Sequence, residues 1–346
     1  MSSKNKRTKH SREKMPENLN EKLYYNTVLC QTFSPNGNFL LAGNIYGDVS
    51  IYNLPKVLGP RQMDNENELS GPTYSFSAHP DSQVESMVAT DNFLVTGTTG
   101  EIAGWDWNII LSNKASKVKA SWIVQIPADK DSFEKPDVNC MVYCKENQIL
   151  YLGCGDNKIY VVHLEDGKIL RQLSGHKDYI HSLARVNDQL ASSSEDGTVR
   201  LWDLRKSENT NILTPHLNGK VARPAKGKWI GAVDLTEDWL LCGGGPNLSL
   251  WHLRTMEAAM IFDLPDDGIH VAEIYEERII AGGAMPNIYH LTYHGEILAK
   301  VPTSSSTVYN IVFRETPLKL LSIAGSSNNL DICTNFNYRE MVLKFA

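Results

Sequence analysis

Three residues in the middle of the chain, His176, Ser192 and Asp196, have the side chains of a serine-hydrolase triad. In such a triad an imidazole takes the proton of the serine hydroxyl, and a carboxylate orients the imidazole. Acyl transfer also requires an exposed hydroxyl beside donors that stabilise the developing oxyanion. Ser192 instead lies in a predicted strand of small residues, and the indole of Trp202 is a ready donor to it. The residues therefore predict a structural hydrogen-bond network and not catalysis.

The same four residues belong to one stretch, Gly175–Arg205, whose pattern predicts several short strands. An apolar run from Tyr179 to Ala184 is followed by a turn and a second run of small residues. The turn at Ser194–Gly197 then leads into an alternating strand that ends at Asp203. Asp-Gly between two such runs is a strong hairpin signal, because glycine adopts positive φ without strain.

The ends of this stretch are a Gly-His pair at residues 175–176 and a Trp-Asp pair at residues 202–203. This spacing resembles one blade of a WD40 propeller. In that family the indole N–H of Trp202 donates to Ser192, the hydroxyl to His176, and the imidazole to Asp196. Such a network fixes the strands of a blade relative to the turns that join them.

Similar hairpins recur along the whole chain at a spacing typical of four-stranded blades. Each has a strand of small residues, a turn rich in Gly, Asn or Asp, and a strand ending in an aromatic or apolar residue. These seven stretches are residues 41–54, 95–107, 151–164, 191–204, 241–253, 280–293 and 321–334. Units of this kind bury their sheets only against each other, so we expect an all-β, seven-bladed WD40 propeller over residues 23–346. Residues 337–345 are predicted to form the outer strand of the seventh blade.

Most of the repeats lack the full residue set of the fourth. The second keeps His79 and Trp105, the fifth keeps Trp251, and we expect the others to depend on packing alone. Long polar insertions at Pro55–Pro72 and Lys206–Lys228 are predicted surface loops.

Partner contacts are expected near the start of the fourth unit. Lys177, Asp178 and Tyr179 precede its inner strand, and Arg200 lies on the strand face that alternates with the apolar one. Tyrosines often anchor protein interfaces, so Tyr179 is the first candidate.

Residues 1–22 form a polar, basic stretch in a chain whose net charge is −6. With almost no apolar residues it cannot bury a core, so we expect a disordered tail. Its cations are candidates for a nuclear import signal or for weak nucleic-acid contact, and they are Lys4, Lys6, Arg7, Lys9, Arg12 and Lys14. A second group of cations lies beside Trp229, whose ring could stack on bases, and comprises Lys220, Arg223, Lys226 and Lys228.

Other classes of site and segment are disfavoured. Cys140 and Cys144 lie on one face of a strand, but no second Cys/His pair at zinc spacing follows, so neither a metal nor a cofactor is expected. The six cysteines suit a reduced, intracellular protein. Neither a signal peptide nor a membrane-spanning run is predicted.

Residues 228–254, with the run WIGAVDLTEDWLLCGGGPNLSLWHLR, are not generic WD40 sequence and resemble the subunit 6 family of the THO complex. Residues 33–52, residues 76–87 and the ending NYREMVLKF resemble the same family. The resemblance implies a nuclear scaffold within the TREX assembly, which couples transcription and mRNA processing to mRNA export. It also implies binding to other THO subunits, including a coiled-coil subunit, and a part in oligomerisation of the complex.

Two alternatives remain open from the sequence. One is a WD40 adaptor of another pathway, such as a substrate receptor of a ubiquitin ligase. The other is a propeller that binds RNA directly, which would require a basic face.

Overall fold

The computed structural model describes residues 22, 24–59, 70–112, 118–128, 134–206 and 209–345. Within these residues, 28 strands form seven antiparallel sheets of four consecutive strands each. The innermost strand of every sheet contacts the innermost strands of both neighbouring sheets, and the last sheet contacts the first. The seven sheets therefore close into a ring, and the predicted all-β, seven-bladed propeller is confirmed.

The strands are numbered in chain order, and four successive strands make one blade. The innermost strands are β1 (Val28–Phe33), β5 (Ser86–Ala89), β9 (Val138–Cys144), β13 (Ile180–Val186), β17 (Ile230–Leu235), β21 (Ile269–Tyr275) and β25 (Val308–Arg314). The second strands are β2 (Phe39–Asn44), β6 (Phe93–Thr98), β10 (Ile149–Cys154), β14 (Gln189–Ser194), β18 (Trp239–Gly244), β22 (Arg278–Gly283) and β26 (Leu320–Gly325).

The two outer layers of each blade follow in the same way. The third strands are β3 (Asp48–Asn53), β7 (Glu101–Asp106), β11 (Lys158–His163), β15 (Val199–Asp203), β19 (Leu248–His252), β23 (Asn287–Thr292) and β27 (Asn329–Thr334). The outer strands are β4 (Tyr74–Ser77), β8 (Trp122–Gln125), β12 (Lys168–Ser174), β16 (Asn209–Leu213), β20 (Glu257–Phe262), β24 (Ile297–Pro302) and β28 (Tyr338–Lys344).

Short helical segments lie between some of the strands. The α-helices are α1 (Leu54–Val57) and α2 (Trp107–Ile110), and 3₁₀ turns occupy Pro215–Leu217 and Pro224–Lys226. No helix of the described residues is long and apolar enough to span a bilayer.

The ring closes where the seventh blade meets the first. As predicted, the end of the chain forms the outer strand of the seventh blade, and β28 pairs with β27. Phe345, which is 1% exposed, lies in a hydrophobic cluster that also contains Val28 and Leu40 of the first blade. The hydroxyl of Tyr52 donates to the carbonyl of Lys344 at 3.0 Å. Because no strand of the described residues is exchanged between the two blades, side-chain packing and a few hydrogen bonds hold the ring shut.

The insertion at Lys206–Lys228 is more ordered than the sequence predicts. It contains the outer strand β16 and both 3₁₀ turns. Its polar strand, NTNIL, pairs with β15 through backbone groups, which polar composition does not reveal.

The basic residues predicted to form an import or nucleic-acid segment lie outside the described residues. They are Lys4, Lys6, Arg7, Lys9, Arg12 and Lys14. The first strand begins at Val28.

Candidate functional site

The structure brings the four residues of the fourth blade into one continuous hydrogen-bonded chain. The indole Nε1–H of Trp202 donates to Ser192 Oγ at 2.8 Å. Ser192 Oγ lies 2.7 Å from His176 Nε2, and because it already accepts from the indole it donates its own proton to that nitrogen. His176 Nδ1 then donates to Asp196 Oδ2 at 3.0 Å. Two strands of the blade, the turn between them and the loop before the innermost strand are thereby joined by side chains.

The Asp196 carboxylate receives further donors at its end of the chain. It accepts the backbone N–H of Lys177 at 2.9 Å and that of Thr198 at 2.8 Å. Burial alone would raise the pKa of Asp196, but the bonds from His176, Thr198 and Lys177 outweigh it and hold the pKa well below its usual range. The ionised carboxylate therefore stabilises the folded state.

This network suits a scaffold and not an acyl-transfer site. The Ser192 side chain is 0% exposed, so no substrate reaches its hydroxyl. The same oxygen is already occupied by the indole on one side and by His176 on the other. A nucleophile must be free to approach a carbonyl beside oxyanion donors, and this geometry leaves no room for one.

Replacing Asp196 with asparagine tests the charge at the end of the network. Because its folded-state pKa lies below the unfolded value of about 3.9, Asp196 stabilises the fold above that pH and loses this contribution as pH falls further. We expect Asp196→Asn to lower stability at pH 7 by about 2 kcal/mol and to weaken the loss of stability between about pH 4 and pH 2. Urea unfolding at pH 7 and pH 3 measures both effects. Asp81→Asn, which removes an exposed carboxylate, should lose stability in acid to the same extent as the wild type. If Asp196→Asn also lost stability in acid to that extent, the stabilising role assigned to the Asp196 carboxylate would be contradicted.

The second blade contains a related network that the sequence revealed only in part. His79 Nε2 lies 2.8 Å from Thr96 Oγ1, and the indole of Trp105 donates to the same oxygen at 2.9 Å. Thr96 thus takes the place that Ser192 has in the fourth blade. The Glu101 carboxylate lies 3.7 Å from His79 Nδ1, beyond hydrogen-bonding distance. Two of the seven blades therefore share a Trp-hydroxyl-His chain.

The fifth blade satisfies its tryptophan differently. Trp251 donates to Ser249 Oγ at 2.8 Å, and both residues lie on the same strand. Cys242 occupies the position of Ser192 on the second strand, and its thiol is 3.8 Å from Ser249 Oγ. The fifth blade therefore keeps its tryptophan, as predicted, and a hydrogen bond within one strand replaces the network of the fourth.

The innermost strands enclose a central channel of about 270 Å³. In six blades the ladder between the innermost and second strands has a bulge near its start, which adds one residue to the innermost strand. In the second blade Glu85 takes the equivalent place, and its N–H donates to the Gly97 carbonyl at 2.9 Å. The seven residues at this position line one end of the channel, named here the channel mouth: Leu29, Glu85, Asn139, His181, Gly231, His270 and Tyr309.

The sequence of this chain is similar to a known repeat model and to several known proteins. The model of the WD domain, G-beta repeat, matches residues 167–203, which hold the network of the fourth blade. The Drosophila melanogaster protein named THO complex subunit 6 is 39% identical over 318 residues, which cover 91% of this chain and 88% of that protein. The Homo sapiens protein of that name is 35% identical over 325 residues, covering 92% and 93% of the two chains. The Danio rerio homolog is 34% identical over 327 residues, covering 93% and 98%.

The chain belongs to the THO complex subunit 6 family. The matches extend far beyond the one repeat that fits the WD model, so the family assignment rests on nearly the whole propeller.

The residues predicted to contact a partner differ in how exposed they are in the structure. Tyr179 is 56% exposed, and Lys177 is exposed beside it. Asp178 is half-buried, and its carbonyl accepts the Ser194 hydroxyl at 2.9 Å. Arg200 is only 8% exposed, and its part in partner binding stays a prediction. It lies in β15 in the interior of the sheet, where alternation along a strand leads to a packed neighbour and not to solvent.

Two of the four cations predicted beside Trp229 form ion pairs within the propeller. Arg223 donates to both carboxylate oxygens of Asp266, at 3.0 and 2.9 Å. Lys226 pairs with Asp267, and its carbonyl accepts the indole N–H of Trp229 at 3.1 Å. Two of the four cations are thus neutralised locally, which weakens the attraction of this region for phosphate.

The two cysteines that the sequence raised as metal ligands both lie at the hydrophobic cluster of Trp202. Cys144 belongs to that cluster, and Cys140 packs against it and also lines the channel. Burial raises the pKa of the Cys140 thiol to about 12, which disfavours the thiolate that a metal binds. In the described part of the chain no three His, Cys, Asp or Glu side chains are grouped to hold a metal ion.

Proposed function

We propose that the protein is a non-catalytic scaffold subunit of the nuclear THO complex within the TREX assembly. There it helps couple transcription and mRNA processing to mRNA export. Its partners are the other THO subunits, including a coiled-coil subunit, in a larger oligomeric assembly. RNA contact by this subunit is weak or indirect.

The observation that carries this proposal is the extent of the family likeness. Proteins named THO complex subunit 6 in insect, fish and human match about nine tenths of the chain at 34–39% identity. A match of this length covers nearly the whole propeller and supports a shared role and shared partners.

The geometry of the fourth blade supports a role without catalysis. The hydroxyl, imidazole and carboxylate that could form a triad are buried and hydrogen-bonded to each other and to the blade. Function then resides in the rims and loops of a rigid ring, which is how scaffolds present binding residues.

The charge distribution favours protein partners over RNA. Two of the four cations near Trp229, Arg223 and Lys226, are paired with Asp266 and Asp267, and the chain as a whole carries −6. Nucleic-acid affinity depends on neutralising phosphates with free Lys and Arg side chains.

Purification of the tagged full-length protein from nuclei tests the proposal. We expect the other THO subunits to be recovered in stoichiometric yield and to remain bound after nuclease treatment, because protein contacts hold the assembly together. Quantitative mass spectrometry of the eluate gives the molar ratios. The double variant Arg223→Glu with Asp266→Arg reverses the two charges of this ion pair, and it serves as a control for the structural role of the pair.

Two results would overturn the proposal. Recovery of a cullin adaptor without THO subunits would identify a ubiquitin-ligase receptor. Tight, salt-sensitive RNA binding by the isolated protein would identify an RNA-binding propeller, since counterion release makes such binding fall steeply with salt.

A further inference from the structure

Two carboxylates lie inside the channel on neighbouring innermost strands. Asp234 of β17 accepts the backbone N–H of Leu235 at 2.8 Å and that of Ile274 at 2.6 Å. Glu273 of β21 lines the channel beside it, and no described residue donates a hydrogen bond to its carboxylate. Burial and the nearby Asp234 charge raise the pKa of Glu273 to about 8, and burial raises the pKa of Asp234 to about 6. A partly buried carboxylate without a donor is a group that a cation would stabilise.

The channel contains no compensating strong base. In the described residues no lysine or arginine lines it, and its basic side chains are the imidazoles of His181 and His270. His181 already pairs with Glu195 at 2.9 Å. Burial lowers the pKa of His270, which favours its neutral form. The channel is therefore an acidic cavity without an internal counterion.

Aromatic rings form a shelf at the channel mouth. The rings of Trp229 and His270 are stacked with centroids 5.1 Å apart, and His270 meets Tyr309 edge-on at 5.5 Å. Trp229 can fold over the mouth because residue 231 is glycine, where a Cβ would lie 2.7 Å from the indole ring. Its N–H is bound to Lys226, so the ring is held in place. Aromatic faces attract guanidinium and ammonium groups.

We propose that the channel binds the side chain of an arginine, or less tightly a lysine, presented by an extended segment of a partner protein. The aromatic shelf of Trp229, His270 and Tyr309 holds the segment at the mouth, and the cation reaches toward Asp234 and Glu273. Glu273 lies three residues beyond His270 along its strand, roughly 10 Å deeper, so only a long side chain bridges the two groups.

The size and charge of the cavity select this ligand. A channel of about 270 Å³ holds one side chain and not a folded element. Arginine is favoured over lysine, because its planar guanidinium both stacks on rings and forms paired bonds to carboxylates. A phosphate backbone is disfavoured, because no lysine or arginine among the described residues lines the channel to neutralise it.

This binding activity belongs to the isolated propeller and does not depend on the proposed role in THO. Calorimetric titration of the full-length protein with the capped peptide GSRSG measures it. We expect a Kd on the order of 1 mM or tighter, and at least tenfold weaker binding when citrulline replaces the arginine. Citrulline keeps the shape of the side chain and removes its charge.

Substitutions locate the site. The double variant Asp234→Asn with Glu273→Gln should weaken binding at least tenfold, as should Trp229→Ala. Glu165→Gln, an exposed carboxylate away from the channel, should bind as the wild type does. Circular dichroism and melting temperature establish that each variant is folded, and the single variant Glu273→Gln replaces the double one if the latter is not.

Three outcomes would overturn the inference. They are equal affinity for the arginine and citrulline peptides, unchanged affinity in the folded channel variants, and binding of oligouridine RNA but not of the peptide. Because this experiment contains no THO subunits, a lack of peptide binding would not affect the test of the proposed function by co-purification.

Discussion

Replacing Trp202 with alanine is expected to lower the free energy of unfolding by about 4 kcal/mol, the usual cost of removing a large aromatic side chain from a core. Trp202 is among the largest fully buried side chains and lies in the cluster that joins the third and fourth blades, with Tyr151 and Leu190. Its loss also leaves Ser192 without its donor. Urea unfolding followed by circular dichroism measures the change.

Two further variants separate packing from hydrogen bonding. Trp202→Phe keeps most of the apolar volume and removes the N–H, so we expect a loss of about 2 kcal/mol. Ser192→Thr should be better tolerated than Ser192→Ala, because Thr96 serves the same function in the second blade. An unfolding midpoint in Trp202→Ala that equals the wild-type midpoint would refute the structural role of the network.

Phe345→Ala is expected to destabilise the closure of the ring by about 3 kcal/mol, the lower end of the range for a buried phenylalanine. Phe345 packs in the cluster shared by the seventh and first blades, where no exchanged strand reinforces the closure. The variant should also increase hydrogen exchange of β1 and β28 before the other blades open. Both readouts come from the purified full-length protein.

Tyr338→Ala is the matched control. Tyr338 begins the final strand, which ends one residue before Phe345, and it is 69% exposed, so its removal should change stability by about 0.5 kcal/mol or less. If Phe345→Ala behaved like Tyr338→Ala, the end of the chain would have no part in closing the ring.

Much of the fold could be predicted because the repeat is local. Each hairpin has turn residues and alternation within about fifteen positions, and seven such hairpins can bury their sheets only by closing on each other. The partners of Trp202 were predictable for the same reason, since the blade motif keeps their residue types and spacing. The place of the final strand followed from its strand character and the lack of any other partner.

Features that depend on three-dimensional neighbours were not predictable. The channel mouth arises from bulges at the starts of the innermost strands, and a bulge has no reliable mark in a single sequence. The pairing of Asp234 with Glu273 likewise joins residues about forty positions apart. An acidic residue on each of two strands signals nothing until the strands are known to be neighbours.

Arg200 and Thr96 illustrate the limits of side-chain assignment from sequence. Alternation places Arg200 on the face opposite Leu201 but does not show that it is buried, because both faces of a blade are covered by neighbouring blades. Thr96 was overlooked because the network was sought as serine, although any hydroxyl can accept from the indole and donate to the imidazole.

The most direct test of the scaffold account measures where polyadenylated RNA lies in cells depleted of this protein. Depletion is expected to raise the nuclear share of this RNA several-fold, and re-expression of either the wild type or Ser192→Ala at equal abundance should restore export. Ser192→Ala removes the one hydroxyl that a hydrolase would need and leaves the rims of the ring unchanged. Unaltered RNA distribution after depletion, or failure of Ser192→Ala at wild-type abundance, would contradict a non-catalytic role in mRNA export.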